Sequence, residues 1–302
     1  MAIMDDALIV GAGPAGLAAA VQLRRYGRTI RIFEAARPGG LLWNANRVEN
    51  YPGFAKGVPG PTLARMFVRQ LGTERITRQA VLELRWEADC FQAVTSEGVY
   101  TGRTAVIASG TRPRPLSGFA IPEELRRRVS YEVAGLLAVR GQRVIIVGSG
   151  DAAFDYALNL GRRNSVIILN RGERVKCLPL LWDRAQACTA IQYRPSTTIQ
   201  RLVSSADGGM TVECSSPSGQ TIFQADALIG AIGREPQLDF ISSPLLERLA
   251  DFETRGILHL VGDVKNGIFR QSAIAVGDGI RAGMRIHQVL EENAYESDRF
   301  DG

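Results

Sequence analysis

The sequence predicts an α/β protein with two Rossmann-like dinucleotide-binding domains. A unit of strand, glycine-rich turn, helix and second strand occupies residues 7–35, and the same unit recurs at residues 143–171. The chain has 302 residues, which is long for one hydrophobic core and comfortable for two domains. Two nucleotide sites on one chain suggest electron transfer between two cofactors, for which a nicotinamide and a flavin are the usual pair.

The first unit ends its strand at Val10 and continues as GAGPAG. Gly11 makes the tight turn, Gly13 lets the backbone approach a pyrophosphate, and Gly16 lets the helix pack on the strand. The N-terminus of that helix supplies unpaired N–H groups and a positive dipole end. Glu34 ends the second strand, where its carboxylate can accept hydrogen bonds from the ribose hydroxyls. The unit therefore predicts a dinucleotide site at Gly11, Gly13, Pro14, Ala15, Gly16 and Glu34.

The second unit continues its strand as GSGDAAF, with Gly148 and Gly150 in the first two glycine positions. Ala153 replaces the third glycine, a change that the motif tolerates. The helix begins with Asp151 and Ala152, beside the expected pyrophosphate. A second dinucleotide site is therefore expected at Gly148, Gly150, Asp151 and Ala152.

The residue that ends the second unit's last strand bears on the choice between NADPH and NADH. Asn170 stands where the first unit has Glu34. A carboxylate there would repel a 2′-phosphate, whereas an amide does not. Arg171, Arg174 and Lys176 follow directly. The pattern favours NADPH over NADH, and the alternative is an exposed basic loop without a ligand.

The charge distribution leaves two interpretations of the surface open. Lysine and arginine number 36 against 31 aspartates and glutamates, and the net charge is +5. Arginines cluster at residues 24–31, 126–128 and 162–163. They are either solvated helix ends and faces or a docking face for an acidic partner. Aromatic residues do not interleave with the clusters, so nucleic acid is not an expected ligand.

Membrane and metal sites are not expected. No apolar run reaches the roughly 18–20 residues that span a bilayer, and acidic residues precede the apolar run near the N-terminus, so a cytoplasmic protein is expected. The cysteines are Cys90, Cys177, Cys188 and Cys214, and the histidines are His259 and His287. Without a CxxC pair and with two histidines, the chain offers no expected metal site or Ser-His-Asp triad.

Several segments resemble the low-molecular-weight thioredoxin reductase group of flavoproteins. Residues 39–53, GGLLWNANRVENYPG, are similar to that group's flavin-facing loop, GGQL…VENWPG, with Leu41 in place of the glutamine. Residues 105–111, 231–236 and 261–273 resemble, in order, the strand that ends the first FAD segment, the return from the NADPH domain and the C-terminal FAD motif. The resemblance implies FAD contacts at Gly40, Leu41, Asn46, Asn50, Ala108, Gly110, Gly262, Asp263, Arg270, Gln271, Ser272 and Ala273.

The order of these segments implies a split domain. An FAD-binding domain would comprise residues 1–112 and 241–302, and an NAD(P)H-binding domain, residues 113–240, would be inserted between them. FAD and NADPH are the implied cofactors, although another donor or a second flavin is the alternative in the inserted domain. Relatives of this kind are homodimers, so a homodimer is expected.

The resemblance also draws attention to missing cysteines. In thioredoxin reductases of this group a CATC disulfide precedes the second glycine turn, and Tyr131-Glu-Val-Ala134 stands there in this chain. Without a thiolate beside the flavin, no relay to a protein disulfide is expected. The expected function is therefore electron transfer between NAD(P)H and a non-disulfide acceptor such as ferredoxin or flavodoxin. The alternatives are a flavin-binding redox sensor or scaffold, and a flavin-dependent oxidase.

Overall fold

The computed structural model describes residues 4–206 and 208–300, with side chains described up to residue 293. The chain divides into two compact units. Unit 1 consists of Met1–Trp43, Val48–Arg112 and Glu235–Gly302, and unit 2 consists of Asn44–Arg47 and Pro113–Arg234. Both units combine parallel strands with helices, which confirms the predicted α/β class with two Rossmann-like domains.

The elements follow one another along the chain as strands β1–β17 and helices α1–α7. The strands are β1 (Asp5–Val10), β2 (Ile30–Phe33), β3 (Ile76–Thr77), β4 (Glu83–Glu87), β5 (Cys90–Thr95), β6 (Gly98–Ile107), β7 (Thr111–Pro113), β8 (Val129–Ser130), β9 (Arg143–Val147), β10 (Ser165–Leu169), β11 (Ile191–Arg194), β12 (Thr198–Ser204), β13 (Met210–Ser216), β14 (Gly219–Ala225), β15 (Ala227–Gly230), β16 (Arg234–Pro236) and β17 (Leu258–Leu260). The helices are α1 (Pro14–Arg25), α2 (Gly60–Leu71), α3 (Asp151–Leu160), α4 (Pro179–Gln186), α5 (Ser243–Glu247), α6 (Leu249–Thr254) and α7 (Ser272–Phe300). Short 3₁₀ helices include Gly40–Asn44, Ala134–Leu136 and Gly262–Val264.

The main sheet of unit 1 has the strand order β3-β2-β1-β6-β5-β4, and β17 pairs with β6. β1, β2, β3, β6 and β17 run parallel, whereas β4 and β5 form an antiparallel extension. The carboxyl ends of the five parallel strands therefore lie at one edge of the sheet, where ligands bind in open α/β sheets.

Glycines let α7 lie directly on α1 across one face of this sheet. A Cβ atom on Gly279 would lie 2.1 Å from the carbonyl oxygen of Ala15, and one on Gly283 would lie 3.1 Å from Cβ of Gln22. The two glycines stand one turn apart on the same helical face. The close approach places Gly279, in the third turn of α7, beside the first turn of α1.

Unit 2 repeats the parallel plan with the strand order β11-β10-β9-β15-β8. Its core is made by buried side chains of the central strands and of α3, among them Val144, Ile146, Phe154 and Ile168. An antiparallel sheet, β12-β13-β14, belongs to the same unit. In neither unit does a described helix combine the length and apolar character that a membrane crossing needs.

Candidate functional site

The glycine turn of unit 1 has the geometry that its spacing predicts. Gly11 has φ +104°, and a Cβ atom there would lie 2.3 Å from the carbonyl oxygen of Ala108. A Cβ atom on Gly16 would lie 1.9 Å from the carbonyl oxygen of Gly11, so only glycine lets α1 start this close to the strand. At Gly13, by contrast, the nearest atom to a Cβ would be Cα of Gly40 at 3.9 Å. Gly13 therefore leaves space open in front of the N-terminus of α1.

The predicted flavin-facing loop begins against this turn. The N–H of Gly39 donates to the carbonyl oxygen of Ala12 at 2.7 Å. Gly40 has φ +57°, and a Cβ atom there would lie 3.0 Å from Cα of Gly13. Leu41 is half-buried in the 3₁₀ helix that follows. Gly13 and Gly40 thus face each other as two backbone segments without side chains.

Glu34 connects the end of β2 to the glycine turn. Its Oε2 accepts a hydrogen bond from the N–H of Ala12 at 2.9 Å, and its Oε1 accepts one from the N–H of Ala36 at 2.9 Å. A carboxylate oxygen has two lone pairs, so each oxygen retains capacity for a further donor. The side chain therefore orders the turn and can still accept hydrogen bonds from ribose hydroxyls.

The C-terminal motif lies in the same group of residues. Gly262 has φ +76°, and a Cβ atom there would lie 2.9 Å from Cβ of Ala15. Asn50 Nδ2 donates to Gln271 Oε1 at 2.6 Å, which joins the flavin-facing loop to the residue before α7. Segments more than 200 positions apart in sequence thus come together. The other expected contacts also belong to unit 1. Asp263 lies in the 3₁₀ turn, and Arg270, Ser272 and Ala273 lie just before or at the start of α7. Ala108 and Gly110 follow β6.

Asn46 is the expected FAD contact that belongs to unit 2. Residues Asn44–Arg47 pack within unit 2. The N–H of Asn46 donates to Oδ2 of Asp155 on α3 at 2.8 Å, and its side-chain oxygen accepts from Arg162 at 2.8 Å. Burial raises the pKa of Asp155 to about 6, and hydrogen bonds from the backbone of Asn46 and Arg47 oppose that rise.

The glycine turn of unit 2 resembles that of unit 1 in having one crowded glycine and one glycine with open space beside it. A Cβ atom on Gly148 would lie 2.3 Å from the carbonyl oxygen of Ala231, whereas one on Gly150 would meet nothing within 4 Å. α3 begins at Asp151, whose Oδ1 accepts from the N–H of Leu178 at 2.8 Å. Ala152 follows in the exposed first turn of the same helix. Both open glycines stand before a helix N-terminus, so each turn fits the pyrophosphate of a dinucleotide.

The basic loop of unit 2 is held in shape by Asn170. Asn170 is buried, and its Nδ2 donates to the carbonyl oxygen of Arg174 at 3.1 Å and to the hydroxyl of Tyr193 at 2.8 Å. Its Oδ1 accepts from the N–H of Gly172 at 3.1 Å. Arg171, Arg174 and Lys176 are exposed. Asn170 thus orders the loop, and the cations of that loop remain accessible to a phosphate.

The segment Tyr131–Ala134, which the resemblance aligns with the family's disulfide, contains no cysteine and is held by several contacts. The hydroxyl of Tyr131 accepts from the N–H of Leu116 at 3.0 Å, and Val133 is fully buried. Gly230 makes room for the Tyr131 ring, because a Cβ atom there would lie 2.7 Å from it. The N–H of Ala134 donates to Oδ1 of Asn44 at 3.0 Å.

Sequence reasoning missed two residues that support the sites. Asp278 on α7 accepts from the N–H of Gly262 at 3.2 Å and from Asn266 Nδ2 at 2.6 Å, which fixes the C-terminal motif. Tyr193 in β11 holds Asn170. Neither belongs to a motif, and both depend on contacts between separate elements, so no local sequence signal identifies them.

The comparisons with known proteins agree with this architecture. Two glycine turns, each at the carboxyl edge of a parallel sheet, define a protein with two dinucleotide-binding units. The chain belongs to the pyridine nucleotide-disulphide oxidoreductase family, whose family model matches residues 5–258. The resemblance to thioredoxin reductases is thereby confirmed, and FAD and NADPH are the cofactors of the thioredoxin reductases in this family.

Individual relatives carry two different names. Thioredoxin reductase of Listeria innocua is 30% identical over 95% of this chain and 94% of that protein. A ferredoxin–NADP reductase of Ignicoccus hospitalis is 32% identical over 80% of this chain and 81% of that protein. The crystal structure of Lactococcus lactis thioredoxin reductase is similar with a TM-score of 0.82 and 25% identity, over 95% of this chain and 99% of that one.

Proposed function

We propose that this protein is an FAD-dependent oxidoreductase that passes electrons between NADPH and a non-disulfide acceptor such as ferredoxin or flavodoxin. Residues 1–112 and 241–302 would form the FAD domain, and residues 113–240 the NADPH domain. The observation that supports the proposal most is that the segment Tyr131–Ala134, which the resemblance aligns with the family's disulfide, has no thiol, while its Tyr131 and Val133 side chains are held by packing.

The residues of unit 1 fit FAD. Gly13 and the N-terminus of α1 would receive the pyrophosphate, and Glu34 would accept hydrogen bonds from the adenosine ribose. Asp263 would hold the ribityl chain, and the pair Asn50–Gln271 would lie at the flavin ring. When bound, FAD supplies two-electron chemistry toward a nicotinamide and one-electron chemistry toward a partner. The chain's own part is to bind and orient the two cofactors, and no side-chain acid or base is assigned.

The residues of unit 2 fit NADPH. Gly150 leaves the approach to the N-terminus of α3 open. Arg171 and Arg174 are exposed on a loop that Asn170 orders, which suits a charged contact with a 2′-phosphate. Because the Asn170 amide is already hydrogen-bonded within the protein, discrimination for NADPH would come from the arginines.

Two of the cysteines have raised pKa values, which argues against their serving as an alternative relay. Cys90 is buried in unit 1, and the other three cysteines lie in unit 2. Burial raises the pKa of Cys214 to about 11, and burial together with the charge of Asp151 raises the pKa of Cys177. A raised pKa lowers the thiolate fraction at neutral pH, and the thiolate is the form that attacks a disulfide.

The acceptor is proposed from the missing thiols and from the relative named ferredoxin–NADP reductase. The arginine clusters support an acidic acceptor only weakly, because several of these arginines bind partners within the chain. Arg24 donates to the carbonyl oxygen of Leu71 at 2.8 Å, Arg31 to Asp5 at 2.8 Å and Arg128 to the carbonyl oxygen of Asp226 at 3.1 Å. A homodimer is part of the proposal.

Anaerobic titration of the purified holoprotein with NADPH and with NADH tests the proposal. Loss of the visible flavin absorbance at stoichiometric NADPH, and recovery of that absorbance on adding ferredoxin, is the expected result. A flavin that is not reduced by either nucleotide would instead identify a flavin-binding sensor or scaffold. Recovery driven by oxygen at least as fast as by ferredoxin, with peroxide released, would identify an oxidase.

A further inference from the structure

A cavity of about 510 Å³ lies in unit 1 outside the predicted cofactor residues. It is bounded by α6, β17 and α7, and its lining includes Glu253, His259, Lys265, Asp278, Arg281 and Arg285. Small-molecule sites commonly enclose about 300–1,000 Å³. The cavity therefore has the size of a ligand site, and the proposed dinucleotide contacts leave it unused.

The charges around the cavity favour an anion. Arg281 pairs with Asp278 at 2.8 Å, so these two charges compensate each other. Lys265 and Arg285 also line the cavity, and within the described part of the chain no carboxylate oxygen lies within 4.0 Å of either cation. Glu253 is the remaining acidic lining residue, and its Oε1 accepts from the N–H of Leu260 at 3.4 Å. The lining thus contains two cations without a paired carboxylate among the described residues and one further carboxylate, and a phosphate would supply the cations with an anionic partner.

His259 also lines the cavity, and one nitrogen of its ring can accept a hydrogen bond. The residue is 9% exposed, and its Nε2 lies 3.0 Å from the carbonyl oxygen of Gly256. A carbonyl oxygen only accepts, so Nε2 carries the proton, and Nδ1 of the neutral ring is an acceptor. No hydrogen bond from a described residue reaches Nδ1. Burial lowers the pKa of His259, which keeps the ring neutral and the acceptor available.

From the cavity volume, the two cations and the imidazole acceptor, we infer that this is a binding site for a small phosphorylated, hydroxylated metabolite of the sugar-phosphate class. Lys265 and Arg285 bind its phosphate, and His259 accepts a hydrogen bond from one of its hydroxyl groups. The site is built from residues of unit 1, whereas the arginines of the proposed NADPH loop belong to unit 2.

Isothermal titration calorimetry of the FAD-loaded protein with ribose 5-phosphate, inorganic phosphate and ribose tests the inference. Ribose 5-phosphate is expected to bind more tightly than either fragment, because it satisfies both the cations and the imidazole. The variants Lys265→Gln and Arg285→Gln are each expected to raise its Kd by about tenfold or more, the usual effect of losing one charged hydrogen bond.

Two control variants separate this site from other anion sites. Arg103→Gln removes an exposed cation of unit 1 outside the cavity, and Arg171→Ala with Arg174→Ala removes the proposed 2′-phosphate contacts. Both are expected to leave the Kd for ribose 5-phosphate unchanged. His259→Asn should weaken ribose 5-phosphate more than inorganic phosphate. Absence of binding to the unmodified protein at about 1 mM ligand, or binding lost in the Arg171/Arg174 variant and kept in Arg285→Gln, would overturn the inference.

Discussion

Replacing Asp155 with asparagine should remove a pH-dependent loss of stability. Burial raises the pKa of this carboxyl from 3.8 to about 6, so the folded protein holds the proton more tightly than the unfolded chain does. The resulting stabilisation is fully present below pH 3.8 and is lost as the pH rises through about 6. A shift of about two pKa units corresponds to about 3 kcal/mol.

The asparagine variant isolates this effect. Asn at position 155 is neutral at every pH, and its side-chain oxygen can still accept from the N–H of Asn46, as the carboxylate does at 2.8 Å. Urea unfolding followed by circular dichroism would measure the difference in unfolding free energy between the natural protein and Asp155→Asn at a series of pH values. Titrations shared by both proteins cancel in that difference. Between about pH 4 and pH 7, the natural protein should lose about 2.4 kcal/mol relative to the variant.

The control is Asp183→Asn, which changes an exposed carboxylate on α4. Its stability should follow that of the natural protein across the whole range. A constant difference between the natural protein and Asp155→Asn would refute the reasoning, because it would mean that burial does not shift the titration of Asp155.

Three other changes test the candidate sites. Gly13→Val should yield protein without FAD, because the valine side chain enters the space in front of α1. Gly13→Ala should retain part of the cofactor, and the flavin content of the two purified variants is the measurement. Arg171→Ala combined with Arg174→Ala should raise the KM for NADPH by about 10- to 100-fold and leave NADH unchanged in steady-state assays. Tyr131→Phe should lower the free energy of unfolding by about 1 kcal/mol, because the N–H of Leu116 loses its acceptor; an unchanged urea midpoint would count against that contact.

Short sequence patterns predicted the features of the fold that depend on residues close together in the sequence. The glycines at 11, 13 and 16 were assigned a turn, an open approach and a close helix contact, and the backbone geometry shows each of these. The same reasoning did not anticipate that the Asn170 amide is hydrogen-bonded within its own loop, because Tyr193 reaches it from another strand. The amide chemistry of Asn170 was visible in the sequence, but its hydrogen-bond partners were not.

Long-range placement explains the remaining differences. The motif containing Asn46 predicts a flavin contact, which stays a prediction, and the sequence did not indicate the hydrogen bonds that this residue makes with Asp155 and Arg162. The cavity beside His259 draws its lining from α6, β17 and α7, which carry no shared motif. Contacts of this kind depend on how elements pack, and periodicity or spacing within one segment does not encode them.

The central claim is that electrons leave the protein without passing through its cysteines. The direct test measures the NADPH-driven reduction of ferredoxin and of thioredoxin by the holoprotein before and after alkylation of its cysteines. Cys90, Cys177, Cys188 and Cys214 are alkylated in mild denaturant, and the protein is then refolded. Ferredoxin reduction should proceed at a rate within a few fold of the original after alkylation, and thioredoxin should not be reduced in either state. Thioredoxin reduction that is robust before alkylation and absent afterwards would contradict the claim.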